Sequence, residues 1–318
     1  MTDTQNEVFK TPVNKIRLFE HGAPGSQNLK LTRKYYTEDM PDGRVKHIVQ
    51  NITDPDIVPY IPDGIGNSTD RQRIPAVLII PGGAFRRLVY NFEGEDVAKW
   101  LNSMGIAAFV LECRLPSDEH DNAEDVPLID AMRAMRVIRG RAQEFGIDEA
   151  KIGVMGFSAG GFMAALLSTA YESDVYADYK YKDEYDKLSA RPDFAVCSYP
   201  VISIDDCIEA GKRYMSEEQV LERISGSKAK ILHKYNPDKL VRPDMPPVFI
   251  CETDDDRTTL SENSVGFYMA ARKAGVSAEL HIFRTGGHGY GCGDDFAQTG
   301  EWKVLFTKWI KSCLLYTS

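Results

Sequence analysis

Ser158 stands in Gly156-Phe157-Ser158-Ala159-Gly160, between an apolar run at 151–155 and a helix-forming stretch at 162–170. A serine hydroxyl attacks a carbonyl only when a base takes its proton and the side chain projects where base and substrate both reach it. A tight strand-to-helix turn supplies that projection, and glycines on either side tolerate the crowding. The chemistry this predicts is acyl transfer, which needs a base, an acid to orient it and donors for the oxyanion.

Of the six histidines, His281 falls inside a predicted strand, and His21, His47, His120 and His233 lie before or far from a suitable loop. His288 sits in the glycine-rich loop Gly286-Gly287-His288-Gly289, after the predicted strand 279–283, and is the base expected near neutral pH. The acid is sought in Glu252-Thr253-Asp254-Asp255-Asp256-Arg257, where a short β-prone run at 248–251 opens into a loop. Three aspartates compete there; Asp256 is preferred and Asp255 is the alternative. Oxyanion donors are expected from backbone N–H groups. The buried run 76–80 ends in Pro81-Gly82-Gly83-Ala84-Phe85, which offers Gly83 and Ala84, and Ala159 follows the nucleophile.

The elements that must hold these groups alternate along the chain. Strands are expected at 76–80, 107–111, 151–155, 194–199, 248–251 and 279–283, and helices at 94–104, 126–145, 161–171, 262–274 and 301–311. The alternation implies one α/β domain over 1–318: a mostly parallel central sheet with helices on both faces. The polar segment 1–73 is expected to wrap the first edge of the sheet, with edge strands at 46–51 and 56–61. The amphipathic stretch 204–239 is a candidate partial cap. The charged segment 172–188, with Tyr176, Tyr179, Tyr181 and Tyr185, reads as a solvated insertion rather than an aromatic sugar platform. Arg133, Arg136, Arg139 and Arg141 read as a solvated, salt-bridged helix face, and 314–318 carries no fold signal.

With serine, acid and histidine in that chain order, the sequence resembles the carbohydrate esterases of the α/β-hydrolase superfamily, the group of acetylxylan esterases and bifunctional acetylxylan and feruloyl esterases. The resemblance rests on Gly22-Ala23-Pro24-Gly25, Pro81-Gly82-Gly83-Ala84-Phe85, Glu93-Gly94-Glu95-Asp96-Val97-Ala98-Lys99-Trp100-Leu101 and 105–111. It continues through Gly156-Phe157-Ser158-Ala159-Gly160-Gly161, Ser189-Ala190-Arg191-Pro192-Asp193-Phe194, 198–203 and Gly286-Gly287-His288-Gly289. It implies an α/β-hydrolase fold and, counting back from Glu262-Asn263-Ser264, the acid at Asp256. Three residues depart from the family's pattern: Ala84 replaces a third glycine, Phe162 a frequent histidine and Cys113 a tyrosine. The implied substrates are acetylated xylan oligosaccharides. Feruloyl esters or general short-chain esters are the alternatives, and a non-catalytic binding module is the reading from another class.

The remaining composition excludes other classes. A chain of 318 residues with 43% hydrophobic residues buries one large core. A net charge of −9 disfavours nucleic-acid or anionic-membrane partners. No apolar stretch approaches a membrane helix, and the polar residues 1–10 are no signal peptide, so the chain as written is expected in the cytoplasm, or secreted if a signal was removed. The six cysteines show no C-x-x-C pair or metal-ligand spacing; Cys113, Cys197 and Cys251 read as small buried hydrophobes, and no metal or cofactor is expected.

Overall fold

A computed structural model describes residue 9 and residues 13–65, 73–224, 234–293 and 298–316. In chain order its strands are β1 (Ile16–Arg17), β2 (Lys34–Asp39), β3 (Val45–Gln50), β4 (Asp56–Tyr60), β5 (Ile74–Ile80), β6 (Leu88–Val89), β7 (Ala107–Glu112), β8 (Ile147–Phe157), β9 (Ala195–Ser198), β10 (Val248–Thr253) and β11 (Ala278–Phe283). Among the described residues, eight form one sheet in the order β1-β4-β7-β5-β8-β9-β10-β11. Pairing is antiparallel at β1/β4 and β4/β7 and parallel across the rest.

Every residue of β7, β9 and β10 is buried, so both sheet faces are covered. The covering helices are α1 (Asp96–Ser103), α2 (Val126–Gly140), α4 (Ala159–Ala170), α7 (Ser261–Lys273) and α8 (Glu301–Tyr316), with a short α3 (Ala142–Phe145) after α2. Trp100 of α1 meets Trp302 of α8 edge to face and Phe306 at a tilt, with ring centroids 5.0 and 5.4 Å apart. Helix α2 packs on α4, behind the centre of the sheet. The helix expected at 126–145 breaks at Arg141, and α8 runs through Leu314 to Tyr316, where no fold signal was expected.

Three further expectations change. Strand β3 does not join the main sheet; it pairs with β2 and β6 in a separate three-stranded sheet. The arginines of α2 are salt-bridged but not solvated. Arg133 is buried and bonds Leu18 O, Asp183 and Asp186, and Arg136 bonds Leu188 O and Tyr176. Arg139 reaches Ser189 O, Arg191 O and Asp193. These bonds pin the insertion 172–188 against α2, with Tyr176 and Tyr179 edge-on to Phe19. Only Tyr181 of its four tyrosines stays well exposed.

The stretch 204–239 contains α5 (Ile204–Gly211) and α6 (Glu217–Ile224); residues 225–233 lie outside the described part. Glu222 of α6 bonds Arg86 at 2.9 Å. Among the described residues no helix is long and apolar enough to cross a membrane.

Candidate active site

Strand β8 ends at Phe157 and α4 begins at Ala159, so Ser158 is the entire turn between them. Its φ of 54° and ψ of −118° lie where a non-glycine residue is strained by about 1–3 kcal/mol. Surrounding packing holds it there. A Cβ on Gly156 would come within 2.0 Å of Gly160 O, and one on Gly160 within 2.0 Å of Ile80 O. The Ser158 N–H donates to Ser198 O at 3.0 Å.

Ser158 Oγ lies 2.8 Å from His288 Nε2, and His288 Nδ1 lies 2.6 Å from Asp256 Oδ2. Asp256 is fully buried yet its carboxyl is held below its usual range. Burial opposes ionisation, but the His288 charge, the imidazole bond and N–H donors from Thr258 (2.6 Å) and Thr259 (3.0 Å) outweigh it. Burial likewise pushes His288 down, and the facing Asp256 carboxylate, helped by Glu93, overcomes this and raises the imidazole above its ordinary value. Thr259 Oγ1 lies 3.0 Å from Asp256 Oδ2 and 3.1 Å from Tyr199 O, so its single proton serves either acceptor.

Asp255 has a different place. Its Oδ1 accepts the N–H groups of Gly286 and Gly287 at 3.0 and 2.8 Å, which anchors the loop that carries His288. Asp254 is exposed. Behind Asp256, Glu252 is fully buried, and burial together with the Asp256 charge pushes its carboxyl well up.

The loop after β5 turns through positive φ at Gly83 (139°), Ala84 (58°) and Phe85 (57°). Ala84 adopts the conformation the glycine of the family pattern would reach freely, at a cost of about 1–2 kcal/mol. Among the described residues, the Gly83 and Ala84 N–H groups donate to no other backbone group. Ala159, as the first residue of α4, has no intrahelical acceptor. Gly83 and Ala84 share one cavity with Ser158 and His288. Phe162 is not among its lining residues; the ring is buried edge-on against Phe85 of the 81–85 loop, 5.4 Å between centroids. Cys113, Cys197 and Cys251 are buried.

The sequence reading missed a buried carboxyl that ties these loops together. Glu93 is 5% exposed; its Oε2 accepts Gly82 N–H at 2.8 Å and its Oε1 accepts Tyr199 O–H at 2.9 Å. Tyr199 Oη in turn accepts Gly291 N–H at 3.0 Å, and its ring stands edge-on to His288, centroids 5.0 Å apart. Burial pushes the Glu93 carboxyl up, while His288 and the two donors oppose that shift. Glu93 lay in a stretch that carried the resemblance without any chemistry assigned to it, and that was its only signal.

A family model for BD-FAE matches residues 65–270. The chain belongs to the BD-FAE family. It is 30% identical over 239 residues to an acetylxylan esterase of Xylanibacter ruminicola, covering 74% of this chain and 45% of that protein. It is 31% identical over 227 residues to endo-1,4-beta-xylanase B of Butyrivibrio fibrisolvens, covering 71% of this chain and 34% of that one. The BD-FAE chain therefore spans less than half the length of the curated relatives it matches. Among solved structures, an acetyl ester-xyloside bifunctional hydrolase from Caldicellulosiruptor lactoaceticus superposes with a TM-score of 0.66 at 37% identity, covering 82% of this chain and 89% of that one. The fold of this BD-FAE protein is that of the α/β-hydrolase esterases.

Proposed function

We propose that this protein is a serine esterase that removes acetyl groups from xylan-derived oligosaccharides. The observation that carries the reading is the relay from Ser158 through His288 to Asp256, at 2.8 and 2.6 Å, in one cavity with backbone N–H groups that have no backbone acceptor. Ser158 Oγ attacks the ester carbonyl carbon as His288 Nε2 takes its proton, and Asp256 accepts the Nδ1–H and stabilises the imidazolium. The N–H groups of Gly83, Ala84 and Ala159 receive the oxyanion. His288 then gives its proton to the departing sugar oxygen, leaving an acyl-enzyme. Water, deprotonated by the same imidazole, releases acetate and restores Ser158. Helices α5 and α6 form a partial cap whose Glu222–Arg86 contact reaches the cavity rim, within a single domain.

The names of the relatives support the sugar side of this reading, and the test is acetate release from acetylated xylo-oligosaccharides by wild type and Ser158→Ala. Loss of release in the variant is the expected outcome. Cleavage of p-nitrophenyl acetate alone would leave a general short-chain carboxylesterase, and release of ferulate in place of acetate would move the preferred acyl group. Full activity in Ser158→Ala would end the serine mechanism.

A further inference from the structure

The chain is acidic, with 38 Lys and Arg against 47 Asp and Glu, yet the cavity that holds Ser158 and His288 has the opposite balance. Arg44, Lys46, Arg86 and Arg87 line it, and among the described residues the one carboxylate in its lining is Glu93, which is buried with both oxygens already bonded. Three of these cations have partners that lie outside the lining: Asp42 for Arg44 (2.8 Å), Glu222 for Arg86 (2.9 Å) and Glu38 for Arg87 (2.5 Å). Lys46 makes no ion pair among the described residues. Glu38 stands opposite it in the β2/β3 ladder but turns to Arg87. The Lys46 charge instead acts inward, on His288 and Glu93.

An acetyl group has no charge for such a wall to meet, and a cation facing a raised imidazole opposes the base. The arginine side chains are 29%, 42% and 32% exposed at Arg44, Arg86 and Arg87, so they lie at the open end of the cavity. Low-dielectric walls lined by one sign of charge focus the field and draw in the opposite charge. We propose that the open end of this cavity is a carboxylate-recognition subsite, centred on Lys46 with Arg44 and Arg87 beside it, that selects esters whose sugar part carries a uronic acid. The subsite deepens the esterase reading and rests on it for the ester chemistry.

The test compares acetylated xylotriose with the same oligomer bearing a glucuronosyl branch, as kcat/KM, in wild type, Lys46→Met and Lys46→Arg. The ratio of acidic to neutral substrate is read within each protein, so a general loss of activity cancels. The expected ratio is about tenfold in wild type, falls toward one in Lys46→Met and in high salt, and is retained in Lys46→Arg. A ratio of one in wild type overturns the subsite. In parallel, the unacetylated oligomers are tested as inhibitors of p-nitrophenyl acetate hydrolysis. If neither oligomer is deacetylated, the oligosaccharide-deacetylase reading fails by itself. Stronger inhibition by the acidic oligomer still supports the subsite, and equal or no inhibition by both overturns it. A preference for p-nitrophenyl hemisuccinate over p-nitrophenyl butyrate, with none among the oligomers, would put the carboxylate on the acyl side and overturn the sugar-side assignment.

Discussion

Replacing Glu93 by Gln probes how a carboxyl that touches no substrate sets the chemistry of His288. Both of its contacts are donors, Gly82 N–H and Tyr199 O–H, an arrangement that suits an ionised carboxylate. The carboxylate and the imidazole are separated by the width of one ring: Oε1 is 2.9 Å from Tyr199 Oη, and that ring's centroid is 5.0 Å from the His288 centroid. A unit charge at roughly 8 Å through an effective dielectric of ~20 is worth about 2 kcal/mol. Screening at the partly exposed imidazole, 24% accessible, reduces this. The sign follows from the charge. Glu93 raises His288, so removing its charge lowers the imidazole, and the base is free of its proton at lower pH. The acidic limb of kcat/KM for p-nitrophenyl acetate should therefore move to lower pH in Glu93→Gln. Glutamine also leaves one of the two donors without its acceptor, at a cost of about 1–3 kcal/mol in stability. A limb that stays in place, in a variant that folds and turns over, would refute an electrostatic role and leave Glu93 a purely structural tie.

Other substitutions separate the remaining parts. Asp256→Ala should lower kcat by about 10⁴-fold, whereas Asp255→Ala, which frees the loop from its Gly286 and Gly287 anchors, should lower it by about 10–100-fold and Asp254→Ala not at all; equal losses at Asp255 and Asp256 would contradict the assignment of the acid. Gly82→Ala would set a Cβ 2.4 Å from Phe157 O and 2.9 Å from Ser158 Cβ, and a drop of about 100-fold or more in kcat is expected, since the oxyanion loop and nucleophile must part. Arg114→Met should lower stability by about 3–5 kcal/mol in urea denaturation, because it strands the fully buried Asp130 that Arg114 pairs at 2.7 Å; adding Asp130→Leu should restore much of the loss.

What was legible in the sequence divides along a physical line. Ser158 and His288 follow strands in glycine-marked turns and Asp256 follows one in an acidic loop, so local pattern was enough to single them out as candidates. Glu93 and Tyr199 meet across 106 residues of chain, and no local pattern announces a bond that only the folded sheet creates. The choice among three adjacent aspartates is likewise one of direction. Asp256 faces the imidazole, Asp255 faces the loop backbone and Asp254 faces solvent, although all three look alike in sequence. The arginines of α2 were read as solvated because charge at helical spacing suggests a wet face, while their partners are carbonyls and acids of the insertion at 172–188, of the segment 189–193 after it and of Leu18. Strand β3 was placed at the sheet edge because its β-prone run was visible while its partner β2 was not.

That hairpin divides the labour of the pocket. The family match at 65–270 takes in Ser158 and Asp256 but begins after the hairpin that presents Arg44 and Lys46 to the same cavity. The proposed chemistry is thus anchored in the parallel sheet, while part of the cavity wall comes from the β2/β3 hairpin, which pairs with itself and with β6. The 40–44 turn lies outside the β3/β6 pairing at Ile48 and Val49, so the turn, rather than the whole ribbon, is the part to lengthen or recharge. The proposed subsite thus puts selectivity on a different element from bond-breaking, and grafting the hairpin turn between relatives tests whether what is cleaved can be retuned apart from how it is cleaved.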